Sequence, residues 1–123
     1  MHDDKHYILI AEDDIEVRST MELYLEQTGF NVIGVSDGVE VIRVVIEMWP
    51  VPPMVLVTNI EMPHMDGRLL LSLFAVVERK EWRNLPVIIT TGSEHFFSDK
   101  YPVLRKPYSL ERLLELVMEH AKR

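Results

Sequence analysis

The chain has 123 residues, 47% of them apolar, which suits one domain spanning residues 1–123 with a core from about 6 to 120 and leaves no room for a second. Its formal charge of −7 argues against a nucleic-acid surface, and the lack of cysteine excludes disulfides, thiol catalysis and cysteine-held zinc or iron–sulfur sites. The polar start Met1-His2-Asp3-Asp4-Lys5-His6 is unlike a secretory signal, and the longest apolar run, Leu69 to Val77, is too short to span a bilayer; a cytoplasmic domain without membrane or nucleic-acid partners is expected.

Tyr7-Ile8-Leu9-Ile10-Ala11 reads as a strand buried on both faces, ended by Glu12-Asp13-Asp14. Asp14 caps a helix from Ile15 to Thr28, with Val17, Met21, Tyr24 and Leu25 at helical spacing and Gly29 as the stop. A second strand spans Asn31 to Val35. Ser36-Asp37-Gly38 then turns into a helix from Val39 to about Met48. That segment is rich in Val and Ile, so propensity alone allows a strand, and the alternation of elements decides for helix. Pro50, Pro52 and Pro53 break the chain before a third strand, Met54 to Thr58.

A loop from Asn59 to Gly67 leads into a helix from about Arg68 to Glu81. Its stretch Leu69–Val77 is wider than one buried face requires, so part of it is available to a partner or to a second copy of the chain in a homodimer. Asn84 and Pro86 introduce a fourth strand, Val87 to Thr90. The segment Gly92 to Tyr101 has room for only one or two helical turns, which predicts a shortened or irregular fourth helix. Val103-Leu104-Arg105 is a fifth strand. Ser109 caps a last helix with Leu110, Leu113, Leu114 and Val117 inward, running to Ala121-Lys122-Arg123, with no output domain expected after it in this chain.

Five alternations of strand and helix predict an α/β fold with a doubly wound parallel sheet and functional groups at the carboxyl ends of the strands. The first strand ends in Glu12 and Asp13, the third at Asn59, the fourth at Thr91 and the fifth at Lys106-Pro107. Side by side, these groups converge on one shallow site. Two carboxylates near a third oxygen suit Mg²⁺, and a lysine and a hydroxyl opposite them suit a phosphoryl group. His64 and His95 stand alone in loops and receive no role, and Met62 and Met65 read as packing residues.

Four segments carry a resemblance to the receiver domain (CheY-like) of two-component response regulators. They are Ile8-Leu9-Ile10-Ala11-Glu12-Asp13-Asp14, Asn59-Ile60-Glu61-Met62-Pro63-His64-Met65-Asp66-Gly67, Pro86-Val87-Ile88-Ile89-Thr90-Thr91-Gly92 and Lys106-Pro107-Tyr108. The resemblance covers nearly the whole chain. It implies a flavodoxin-like five-stranded parallel sheet of order 2-1-3-4-5, a role in phosphorelay signal transduction, and a sensor histidine kinase or other signalling protein as partner. It also implies that Glu12 and Asp13 hold Mg²⁺ with the Glu61 backbone carbonyl, that Lys106 and Thr91 contact a phosphoryl group, and that the Lys106–Pro107 bond is cis. Alignment to Pro86 favours Thr91 over Thr90.

The resemblance breaks at Asn59, which stands where the family has its phosphate-accepting aspartate. An amide oxygen carries no full charge and its nitrogen lone pair is delocalised, so attack on phosphorus is lost. Removing that charge beside a divalent cation costs on the order of several kcal/mol of attraction, so Mg²⁺ binding through Asn59 is expected to be weak or absent. Val103 stands where many members carry the aromatic switch residue, and Tyr101, two residues earlier, can share its side of the strand.

These departures favour a phosphorylation-independent interaction module, a pseudo-receiver. An alternative is a phosphoaccepting receiver in which Asn59 is an engineered replacement, with Thr58 an unsuitable substitute because alternation turns it away. A phosphatase is the third reading, and it lacks the Asp-x-Asp spacing: Asp14 is followed by Ile15-Glu16. No nucleotide-binding glycine motif is present either, so no enzymatic activity is expected.

Overall fold

In a computed structural model that describes residues 6–122, five strands form one parallel sheet: β1 (Ile8–Ala11), β2 (Val32–Val35), β3 (Val55–Asn59), β4 (Val87–Thr91) and β5 (Val103–Arg105). Their order is β2-β1-β3-β4-β5, the flavodoxin-like arrangement implied by the sequence. Residues 1–5 and Arg123, which hold the polar start and the last residue of the expected final helix, lie outside the described residues. The helices are α1 (Ile15–Gln27), α2 (Gly38–Glu47), α3 (Gly67–Ala75), α4 (Lys80–Arg83) and α5 (Leu110–His120).

Strand alternation divides the core into two layers. Ile8, Ile10, Val55, Val57 and Ile88 pack with Met21 and Leu25 of α1 and with Leu113, Leu116 and Val117 of α5. Leu9, Ala11, Leu56, Val87 and Ile89 pack with Val41 and Val44 of α2, Leu70 and Phe74 of α3, and Trp82 of α4. Full burial of each such aliphatic or aromatic side chain stabilises the fold by about 1.5–3 kcal/mol relative to exposure. Side-chain caps start α1, α2, α3 and α5: Asp14 accepts from the Glu16 and Val17 amides, Asp37 from Glu40, Asp66 from Leu69 and Ser109 from Arg112. Each cap contributes about 1 kcal/mol.

Three sequence expectations need correction. β3 ends on Asn59 rather than Thr58, so Asn59 is pinned by the ladder rather than opening the loop; β4 likewise includes Thr91. The helix expected over 68–81 is broken into α3 and α4. A continuous helix would separate Phe74 and Trp82 by roughly 12 Å along its axis. Instead their rings stack at 6.1 Å, Trp49 also stacks on Trp82 at 5.9 Å, and the break allows this. Of the stretch 69–77, Leu70 and Phe74 are buried, whereas Leu69, Leu73 and Val76 are exposed.

The segment 92–101 forms no helix; it takes the irregular course. Several of its backbone groups bond to side chains instead. Arg105 donates to the carbonyls of Ser93 and Phe96, and the Ser98 hydroxyl accepts from the Lys100 and Tyr101 amides. Small polar residues offer the backbone such alternatives to helical bonding.

Candidate functional site

The carboxyl ends of β1, β3, β4 and β5 bring Glu12, Asp13, Asn59, Glu61, Thr91 and Lys106 into one connected set. Parallel pairing fixes the backbone: Asn59 is opposite Thr90, Thr91 is opposite Arg105, and the Lys106 amide donates to the Thr91 carbonyl at 2.8 Å. Gly67 closes the site from below. A Cβ there would lie 2.7 Å from the Asn59 carbonyl oxygen, so only glycine lets α3 start this close to the end of β3.

Glu12 is 1% exposed, and its carboxylate is held from two sides. Lys106 Nζ lies 2.7 Å from Oε1, and the Asp14 amide donates to Oε2 at 3.0 Å. Burial pushes the Glu12 carboxyl above its ordinary value, opposed by the hydrogen bonds from Lys106 and the Asp14 amide. Burial also raises the Tyr108 hydroxyl to about 12, with the Glu12 charge adding to it. The Lys106–Pro107 bond is cis, and so is Trp49–Pro50, which the sequence did not suggest.

Asn59 is 3% exposed, and its amide nitrogen donates to Asp13 Oδ1 at 3.2 Å and to the Glu61 carbonyl at 2.9 Å. Turning the amide over would set its oxygen against both of these acceptors. Asn59 Oδ1 has no hydrogen-bond partner among the described residues.

Glu61 sends its side chain elsewhere. Thr91 Oγ1 donates to its carboxylate, with Oε2 at 2.8 Å and Oε1 at 3.0 Å, and the Gly92 amide donates to Oε1 at 3.1 Å.

The Mg²⁺ implied by the resemblance does not fit this arrangement as it stands. Asp13 Oδ1 and the Glu61 carbonyl, two of its expected ligands, accept N–H groups from Asn59, and Glu12 Oε1 faces an ammonium. No group of three or more His, Cys, Asp or Glu side chains is gathered to hold a metal ion among the described residues. The orphaned Asn59 oxygen is the one buried side-chain polar atom without a hydrogen-bond partner among the described residues.

The candidate switch residues lie outside this connected set. Tyr101 and Val103 both pack, half-buried, against the core layer of α2, α3 and α4. Thr58 is fully buried, and its hydroxyl donates to the Asn59 carbonyl.

One neighbouring feature escaped the sequence reading. His64, at a positive φ of 65°, sets Nδ1 2.8 Å from Asp37 Oδ2. Burial alone would raise the Asp37 carboxyl, yet the His64 contact and the Glu40 amide hold it below its ordinary value. The cap role of Asp37 was legible from Gly38 and the helical run; the histidine lies 27 residues away and carries no local signal.

Comparison with known proteins gives this geometry its setting. A family model described as the response regulator receiver domain matches residues 8–118. Protein PilG of Pseudomonas aeruginosa is 26% identical over 122 residues, covering 92% of this chain and 85% of PilG. The CAI-1 autoinducer sensor kinase/phosphatase CqsS of Vibrio cholerae is 32% identical over 85 residues, which are 69% of this chain and 12% of CqsS. Among solved structures, the receiver domain of the hybrid histidine kinase CckA is similar with a TM-score of 0.77 at 26% identity, covering 94% of this chain and 99% of that one. With the family model spanning nearly every element and the sheet order matching, the chain belongs to the response regulator receiver domain family of two-component signalling.

Proposed function

We propose that this receiver domain works as a phosphorylation-independent interaction module, engaging a sensor histidine kinase or another signalling protein without a phosphoryl group at Asn59. The observation that carries this reading is the Asn59 amide, which directs an N–H pair at Asp13 and the Glu61 carbonyl where the family places an anionic nucleophile and a metal. No lone pair with nucleophilic character faces the pocket at this residue. Mg²⁺ binds weakly or not at all, because the amide protons occupy the direction from which the cation would approach these oxygens. Glu12, Asp13, Thr91 and Lys106 persist as a structural polar cluster, and the domain has no enzymatic activity of its own.

The retained Glu12–Lys106 pair and the Thr91 hydroxyl favour a second reading, a phosphoaccepting receiver whose aspartate has been replaced at 59. Incubation of the chain and of Asn59→Asp with a small phosphodonor and Mg²⁺, followed by intact-mass measurement, tests the first reading. The expected result is no adduct on the chain as it stands. A stable, acid-labile phosphate adduct on it would defeat the proposal. A gain of phosphorylation in Asn59→Asp together with altered partner binding would select the second reading.

A further inference from the structure

We propose that the Glu61 carboxylate is a built-in plug of the phosphoryl-contact position that the family resemblance gives to Thr91, held there by the Thr91 hydroxyl and the Gly92 amide, so that inorganic phosphate or a similar oxyanion binds there only by displacing it. This deepens the reading above and rests on it, since it concerns the same pocket. The two donors converge on the carboxylate from the end of β4, at 2.8 Å and 3.0 Å from Thr91 Oγ1 and 3.1 Å from the Gly92 amide. Thr91 is fully buried, and its hydroxyl also accepts the Ser93 amide at 3.0 Å, which polarises the O–H toward whatever anion it faces. The donors are therefore preorganised by the sheet. The anion is not: Glu61 is an exposed loop residue whose backbone is anchored through its carbonyl by Asn59.

Neither cation near the pocket is paired with this carboxylate: Arg18 donates to the Glu12 carbonyl at 2.8 Å. Lys106 Nζ pairs with Glu12 at 2.7 Å, so Glu61 is held by neutral donors alone. An incoming oxyanion meets a site that is occupied and bears a negative charge. A short tether gives its group an effective concentration on the order of millimolar, which sets the level an external competitor must exceed. Gly92 leaves the outer side open: a Cβ built there meets nothing within 4 Å. A released Glu61 side chain and an arriving oxyanion thus have room to exchange. The site is an oxyanion receptor closed by its own side chain.

The test is titration of the ¹⁵N-labelled full chain, Glu61→Ala and Glu61→Gln with inorganic phosphate and with tungstate, at constant ionic strength and without Mg²⁺. The amide resonances of Thr91, Gly92 and Ser93 are followed. Glu61→Ala is expected to saturate at about two- to threefold lower oxyanion concentration than the unaltered chain, the gain left by removing a weakly held internal competitor. Glu61→Gln, which keeps a hydrogen-bond acceptor without the charge, is expected to fall between them and guards against a folding artefact in the alanine variant. Equal affinities in all three chains, or no movement of the Gly92 amide in any of them, would overturn the inference. Either result leaves the phosphodonor experiment untouched, since a phosphate adduct on the unaltered chain sinks the functional reading by itself.

Discussion

At the floor of the pocket, a Glu12 carboxylate that is 1% exposed meets Lys106 Nζ at 2.7 Å; at its rim, an exposed Glu61 reaches over to Thr91 and Gly92. Both contacts involve a carboxylate held by hydrogen bonds, yet they obey different energetics. A charge taken out of water is costly to leave unpaired, so the floor is committed to its geometry. A carboxylate that keeps contact with water loses little when its partners go, so the rim is free to exchange them. The lesson is that the floor governs whether the sheet ends hold together, and the rim governs what enters.

The sharpest way to break this distinction is Lys106→Met, which strands the buried Glu12 charge. The expected loss is about 3 kcal/mol, at the lower end for a broken buried pair because the lysine side chain is itself 30% exposed. Urea denaturation measures it, and a loss below about 0.5 kcal/mol would place the floor in the same regime as surface contacts.

Gly67→Ala attacks the floor from beneath. The new Cβ would stand 2.7 Å from the Asn59 carbonyl and 2.9 Å from Ile60 Cδ1, and relief of that overlap is expected to cost about 1–3 kcal/mol. A melting temperature unchanged from the parent would show that α3 is not packed this tightly onto β3.

The Asp37–His64 contact sharpens the comparison through pH, because it joins a buried carboxylate to an exposed histidine. The Asp37 carboxyl titrates below its ordinary value of 3.8, so its folded form holds protons less tightly than its unfolded form. Its stabilising contribution is therefore complete above 3.8 and is lost as pH falls from there through the lowered native value. Asp37→Asn, which still caps α2, is expected to flatten this part of the acid unfolding profile. Superimposable acid limbs for the two chains would contradict the assignment.

The smallest effect belongs to the rim. Glu61→Ala is expected to change unfolding free energy by no more than about 0.5 kcal/mol, as for an ordinary surface substitution. A loss above 1 kcal/mol, on the order of a buried hydrogen bond left unsatisfied, would move Glu61 into the floor's class.

Much of this arrangement was readable from the amino acids alone. Apolar runs such as Leu9–Ile10–Ala11 and Val55–Leu56–Val57 announce buried parallel strands, and the polar groups that follow them must then meet at one edge of the sheet. What resisted reading depended on distant contacts. The break between α3 and α4 follows from a ring stack joining Phe74, Trp82 and Trp49, and Trp49 belongs to another crossover. The course of residues 92–101 is set by Arg105, a strand residue that reaches back to the Ser93 and Phe96 carbonyls. Glu61 shows the same limit within the site. Its position implied a backbone carbonyl toward a metal, whereas the side chain's choice of Thr91 and Gly92 is a rotamer decision that sequence spacing does not encode.

The central claim is that residue 59 presents amide protons, not a nucleophile, to the pocket. A crystal of the chain grown with Mg²⁺ and beryllofluoride tests it most directly. The account predicts Asn59 still bonded to Asp13 and the Glu61 carbonyl, with no beryllium attached to its side chain. Beryllofluoride bound through Asn59 Oδ1, with a metal between Asp13 and the Glu61 carbonyl, would contradict it.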